Sequence, residues 1–315
     1  MELLCSDIEA AHQRIKPYIH RTPIMTSRLL NQQIGCELFF KCENFQKAGA
    51  FKARGAFHAV YSLSDEEASR GVVTHSSGNH AAALALAART RGIPAYIVMP
   101  ENSSPTKQRA VRAYGGNIIL CGPTQDDRET TAERVLRETA AVLIHPYNDM
   151  RIIAGQATCA KELLEDIADI DMILAPVSGG GLLSGTALAV SAMCSPAQVI
   201  GCEPEEADDA FRSYRDGVLY PAVTPPRTIC DGLRTSLGTL TFPIIRTHVA
   251  AIHTVSEQAT IHAMRTVWEV MKILIEPSCA VSLAVLLEGK LDVHGKRVGI
   301  ILSGGNVDLD TLPWQ

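Results

Sequence analysis

A chain of 315 residues with 46% hydrophobic and 20% charged side chains is long enough to bury a large core, and its net charge of −5 offers neither a basic footprint for nucleic acid nor a polybasic membrane patch. The nine cysteines are odd in number, scattered and without a closely spaced pair, which argues against a disulfide framework or a zinc site and for a reducing cytoplasm. Residues 1–5 lack a positive n-region and a long apolar core, and no apolar run approaches a membrane span, so neither export signal nor anchor is expected.

Ser6 followed by Glu9 makes a capping-box signature, with Ile8, Ala11 and Ile15 on one face of a helix that ends before Pro17. Residues 37–41 read as a strand feeding a glycine turn and a helix that carries Lys52. From residue 71 strand and helix alternate: strand 71–75, turn 76–79, helix 80–91, strand 95–99, a helix with Pro105 at its first position closed by Gly115 and Gly116, strand 117–121, helix 127–139 and strand 142–145. The second half repeats the pattern with helix 152–167, strand 172–177, helix 182–193 and strand 199–203. A less regular region through Pro221, Pro225 and Pro226 precedes a long helix over 257–272, a shorter helix after Pro277 and strand 298–302. Repeated βαβ units predict an α/β fold of two open, twisted, mostly parallel sheets flanked by helices, in two lobes sharing one cleft.

Four stretches carry chemistry. Lys52 stands between Phe51 and Ala53, where partial desolvation would lower its pKa and free the amine as a Schiff-base nucleophile or proton-transfer group; a lysine snorkelling from a helix surface is the plainer alternative. Ser178, Gly179, Gly180 and Gly181 lie between an apolar strand and an apolar helix, a cradle for a compact monophosphate or simply a tight turn. Together, an imine-forming lysine and a monophosphate cradle suggest pyridoxal phosphate. The turn Ser76, Ser77, Gly78, Asn79, His80 could receive a carboxylate or serve as an ordinary helix cap. Ser303 in Ser303, Gly304, Gly305, Asn306 sits at the carboxyl end of a strand, where ligands collect in open α/β sheets.

In this order and spacing, with Gly155, Gln156 and Thr158 between them, these segments resemble the fold-type II pyridoxal phosphate enzymes (tryptophan synthase β-like), in the branch of serine racemase, threo-3-hydroxyaspartate dehydratase and threonine dehydratase. The resemblance runs from Arg21 almost to the C-terminus. It implies a large cofactor domain of residues 1–70 and 149–315, a small domain of 71–148, and a homodimer. It further implies that Lys52 is the Schiff-base lysine with Phe51 beside the pyridine ring, that Ser178, Gly179, Gly180, Gly181 and Leu182 hold the phosphate, that Ser303 partners the pyridine nitrogen and Asn79 the ring hydroxyl, and that Gly232 lines the pocket. Ser76, Ser77, Asn79 and His80 would hold the substrate carboxylate, with Ser77 opposite Lys52 as the second proton-transfer group.

The acidic run 203–209 reads as a solvated surface or as a convergence of carboxylates on a hard divalent cation. The resemblance assigns Glu203, the carbonyl of Ala207 and Asp209 to Mg²⁺, or Ca²⁺ or Mn²⁺. It also places Arg128 at the mouth of the site, where a guanidinium would pair with a β-carboxylate and favour 3-hydroxyaspartate over threonine, with Thr235 assisting. The implied activity is dehydration of a β-hydroxy amino acid, L-threo-3-hydroxyaspartate going to oxaloacetate and ammonia. Serine racemase with dehydratase activity and catabolic threonine dehydratase are the close alternatives, and a non-catalytic cofactor-binding protein is the distant one. Ser178, Ala157 and Tyr147 depart from the family pattern, Arg151 adds charge near the entrance, and no regulatory extension is expected after residue 315.

Overall fold

The computed structural model describes residues 3–314, so Met1 and Glu2 of the segment read for an export signal lie outside it. The apolar runs bounded by glycine and proline form ten strands: β1 (Ile24–Met25), β2 (Glu37–Cys42), β3 (Val72–His75), β4 (Ala95–Pro100), β5 (Asn117–Cys121), β6 (Val142–Leu143), β7 (Met172–Pro176), β8 (Gln198–Pro204), β9 (Ala251–Val255) and β10 (Arg297–Leu302). They make a six-stranded sheet in the order β1-β2-β10-β7-β8-β9 and a four-stranded sheet in the order β5-β4-β3-β6. Among the described residues only the β1–β2 strand pair is antiparallel, apart from an isolated bridge between Ala50 and Gly304. The smaller sheet is one contiguous stretch, whereas the larger joins segments before and after it. The carboxyl ends of β3, β7 and β10 lead into the three turns singled out above.

Helices cover both sheets because their apolar stripes have nowhere else to go. The Lys52–Tyr61 helix is shared: Ala53, Ala56, Phe57 and Val60 join Ala81, Leu84, Ala85 and Ala88 of the Asn79–Arg91 helix in one buried cluster. Its other flank meets the Met150–Asp166 helix so closely that a Cβ on Gly155 would stand 2.6 Å from the Cα of Gly55. Only glycine permits that approach.

Several sequence expectations need correction. The first helix is Cys5–Ile15, starting before Ser6; its N-cap is Leu4, whose N–H donates to the Asp7 carboxylate at 2.9 Å. The strand expected over 142–145 stops at Leu143 because His145 turns away to bond the following backbone. The expected long helix is α-helical only over Glu257–Thr266 and widens to a π-turn over Val267–Met271. The region expected to be irregular contains the helices Asp209–Asp216 and Thr241–His248, and strand β9 follows at Ala251–Val255.

Candidate active site

The turn before Lys52 is made by positive φ angles at Ala48 (56°) and Gly49 (72°), and it docks on the segment after β10. Gly305 N–H donates to the Gly49 carbonyl at 2.9 Å, and Phe51 N–H donates to the Ser303 carbonyl at 3.0 Å. Lys52, first residue of its helix, thereby sits next to Ser303, which is 4% exposed. Its Nζ donates to the Pro146 carbonyl at 2.8 Å and lies 5.1 Å from the Phe51 ring centroid. Burial brings the amine down from the ordinary lysine value to about 8, opposed by the nearby Glu276 carboxyl. The desolvated lysine expected from the sequence is present.

Beneath Lys52 lies an ion cluster that sequence reading missed. Arg54 donates to Glu43 through Nε and Nη2, each at 2.8 Å, and to Glu162 through Nη1 at 2.9 Å and Nη2 at 2.8 Å. Lys41 Nζ reaches Glu162 at 2.7 Å and the Thr22 carbonyl at 2.8 Å. Arg54, Lys41, Glu43 and Glu162 are all fully buried. Two cations face two carboxylates, and Glu162 stays below the usual carboxylate range despite its burial, because His12, Arg54 and Lys41 bind its charged form. A charge inside an apolar strand or helix was the available signal.

The glycine loop fits a phosphate. Gly180 (φ 87°) is the N-cap of the Gly181–Ala192 helix and no side chain caps it, so the N–H groups of the first turn point into the loop unused. The Tyr147 ring covers Gly179 so closely that any Cβ there would overlap it, and a Cβ on Gly181 would stand 3.1 Å from the Tyr147 Cβ. Ser178, the departure from glycine, accepts the Thr235 N–H at 3.1 Å and contacts the Thr235 hydroxyl at 2.9 Å. Thr235 in turn hydrogen-bonds the Tyr147 phenol, whose pKa is raised by burial. The departures at 178 and 147 are thus joined through Thr235. Gly232 N–H donates to Ser278 Oγ at 2.9 Å.

The serine turn is also open at its helix end. Gly78 caps the Asn79–Arg91 helix without a side-chain bond, and among the described residues the hydroxyls of Ser76 and Ser77 make no hydrogen bond. His80 does not point its ring there: Nε2 donates to the Ile144 carbonyl at 3.3 Å, leaving a buried, unpartnered Nδ1. Its backbone N–H remains available. Asn79 Nδ2 donates to Glu276 Oε1 at 2.9 Å, and Asn306 Nδ2 donates to Asn79 Oδ1 at 2.9 Å. Glu276 is a second residue the sequence did not reveal. Burial, with Asp231 adding repulsion, pushes its carboxyl up to about 8.

At the rim, Arg128 Nη2 reaches the Pro123 carbonyl at 3.4 Å while its buried Nε has no partner. Arg151 does not add free charge to the entrance, because Asp149 holds it through Nε and Nη2. On the far side of the large sheet Glu203, 1% exposed, accepts the N–H groups of Ala210 at 3.1 Å and Phe211 at 2.8 Å. Asp209 is 1% exposed and its Oδ2 has no partner. Burial raises Asp209 to about 6, and Glu203 is raised by burial and by Asp209 itself. Among the described residues no group of three or more His, Cys, Asp or Glu gathers as a metal site.

A parallel α/β pair with a desolvated lysine between an uncapped glycine loop and a strand-end serine is the build of a pyridoxal phosphate enzyme. The chain belongs to that family: residues 15–304 match the family described as pyridoxal-phosphate dependent enzyme. It is 51% identical to a beta-hydroxyaspartate dehydratase of Paracoccus denitrificans over 98% of both chains, and 52% identical to a serine racemase of Arabidopsis thaliana over 97% of this chain and 93% of that one. Among solved structures, maize serine racemase superposes with a TM-score of 0.96 at 48% identity, covering 100% of this chain and 97% of that one.

Proposed function

We propose that the protein is a dehydratase of β-hydroxy amino acids with L-threo-3-hydroxyaspartate as its substrate, releasing oxaloacetate and ammonia. The observation that carries the choice of substrate is the weakly held Arg128 guanidinium, whose Nη2 makes a long 3.4 Å bond to the Pro123 carbonyl and whose Nε has no partner among the described residues, since such a group suits a second carboxylate. The 51% identical relative named as a beta-hydroxyaspartate dehydratase supports it.

Phe51, Lys52, Asn79, Ser178–Leu182, Gly232 and Ser303 would hold the cofactor, which when bound takes up the electron pair released at the substrate's Cα. Lys52 holds and moves the Cα proton, an assignment supported by its depressed pKa. The open first turn after Gly78, with Ser76 and Ser77, receives the α-carboxylate. Loss of water across Cα and Cβ leaves an enamine that hydrolyses to the 2-oxo acid. Serine racemase activity is the second reading, favoured by the uncommitted Ser77 hydroxyl, which could return a proton to Cα. Thr235 would assist by exchanging a contact with Ser178 or Tyr147 for the substrate carboxylate.

Glu203, Asp209 and the Ala207 carbonyl would hold Mg²⁺, Ca²⁺ or Mn²⁺, whose charge would relieve two buried carboxylates held above their ordinary pKa by burial. We further read residues 71–148 as a small domain against 1–70 and 149–315, and the active species as a cytoplasmic homodimer; among the described residues no helix is long and apolar enough to cross a membrane. The deciding experiment is a panel of serine, threonine and the 3-hydroxyaspartate stereoisomers scored for 2-oxo acid and for inversion. Threonine outpacing every hydroxyaspartate isomer would refute the substrate.

A further inference from the structure

His145 lies in the segment joining β6 to the Met150–Asp166 helix, and the backbone sets its protonation. Its Nδ1 accepts the N–H groups of Asn148 at 2.9 Å and Tyr147 at 3.3 Å. A ring nitrogen that accepts N–H groups carries no hydrogen, so the neutral imidazole keeps its proton on Nε2. Among the described residues Nε2 meets no acceptor and is not sealed among the buried unpartnered atoms, which leaves this donor free for a ligand. The ring is fixed edge-to-face against Tyr147, centroids 4.6 Å apart, and against His75 at 5.5 Å. Burial, His75 and Lys52 lower its pKa to about 4, which keeps the ring neutral. A neutral imidazole held this way acts as a hydrogen-bonding electrophile rather than as a base.

Its place along the cleft says what it would meet. The neighbouring Pro146 carbonyl holds Lys52 Nζ. On the other side stands His75, which feels the charges of Glu129 and Arg128. His145 thus lies close to Lys52 through Pro146 and packs on His75, which feels the Arg128 charge. On the function proposed above, a substrate with Cα at Lys52 and its second carboxylate at Arg128 puts Cβ and its hydroxyl opposite His145.

We propose that His145 donates its Nε2 hydrogen bond to the departing β-hydroxyl and so steers the enzyme toward elimination rather than racemisation. Lys52 takes the Cα proton, the C–H electron pair becomes the Cα–Cβ double bond, and the Cβ–O bond breaks with its pair on oxygen. That oxygen takes the proton back from the Lys52 ammonium and leaves as water; nothing is oxidised or reduced. His145 keeps its own proton and stabilises the charge building on the oxygen. Racemisation leaves the Cβ–O bond intact and gains nothing from this donor.

The test uses holoenzyme carrying His145→Asn, whose side-chain oxygen still accepts the two backbone N–H groups but which places no donor at the Nε2 position. Cα deuteration in D₂O and 2-oxo acid formation are followed together on L-threo-3-hydroxyaspartate and L-serine. The ratio of elimination to exchange should fall at least about tenfold, since losing a donor to a developing oxyanion costs roughly 10²–10³ in rate. The cofactor absorbance should not move. An unchanged ratio, or an equal fall in both rates as a merely structural role would give, overturns the proposal. ¹⁵N spectra of the wild-type enzyme should show an unprotonated Nδ1, and a proton found there also overturns it. A wild-type enzyme that turns over no β-hydroxy amino acid removes the proposed function and this role together, whereas turnover with unaltered partition removes only the role.

Discussion

Two polar regions, the ion cluster around Arg54 and the cleft, are built in opposite ways. The Lys41, Glu43, Arg54 and Glu162 cluster is fully buried and internally balanced, with the Arg54 guanidinium bonded through all three nitrogens. Along the cleft, Arg128 Nε and His80 Nδ1 are buried without partners, and the helices after Gly78 and Gly180 have no side-chain caps. Closed hydrogen-bond accounts hold a fold together; open ones are tolerated where a ligand closes them.

The largest effect expected on the open side is from Lys52→Ala. Removing a positioned proton-transfer group costs about 10²–10⁴ in rate, and the imine absorbance should vanish while the circular dichroism of the fold stays. On the closed side, Arg54→Met strands two carboxylates, and breaking such a buried pair costs about 3–5 kcal/mol, read as a lower denaturant midpoint. An unchanged midpoint would break the contrast drawn here.

The Glu203 and Asp209 pair sharpens it next. Asp209, raised by burial to about 6, contributes stability that is full below its unfolded pKa and is lost as pH rises through about 6. Chelator-treated protein should therefore melt lower as pH climbs through that window, by about 2–3 kcal/mol, and Mg²⁺ should restore most at the upper end. A melting curve indifferent to both chelator and pH would sink the cation assignment. The smallest effect is selective: Arg128→Gln should lower kcat/KM for 3-hydroxyaspartate by roughly tenfold to a hundredfold, the worth of a charge-assisted hydrogen bond, and leave L-serine within about threefold.

What could be read from the chain followed from local causes. Pro105 and Pro277 open helices as their missing N–H groups require, and the runs at 95–99, 117–121 and 298–302 are strands because short apolar runs bounded by glycine or proline have little other choice. Lys52 and the glycine loop were legible because each carries its chemistry within a few residues. The ion cluster was not, since Glu43 and Glu162 meet at Arg54 only after β2 and the Met150–Asp166 helix have packed. Glu276 escaped for the same reason: next to Pro277 it reads as a helix-start acid, and only the fold buries it against Asn79. Ser6 failed as a cap because the helix already begins at Cys5, with Asp7 accepting the N–H of the N-cap Leu4.

The Gly55–Gly155 contact decides where this protein can change. A Cβ on Gly155 would meet the Gly55 and Arg54 backbone, which cannot repack, so that position admits no gradual substitution and Lys52 rides on a platform of low mutational tolerance. Arg128, in the first turn of its helix, and Tyr147 and Thr235, on loops, are not fixed by such backbone contact. New substrates would therefore be acquired at the rim, with the reaction itself inherited unchanged from the platform.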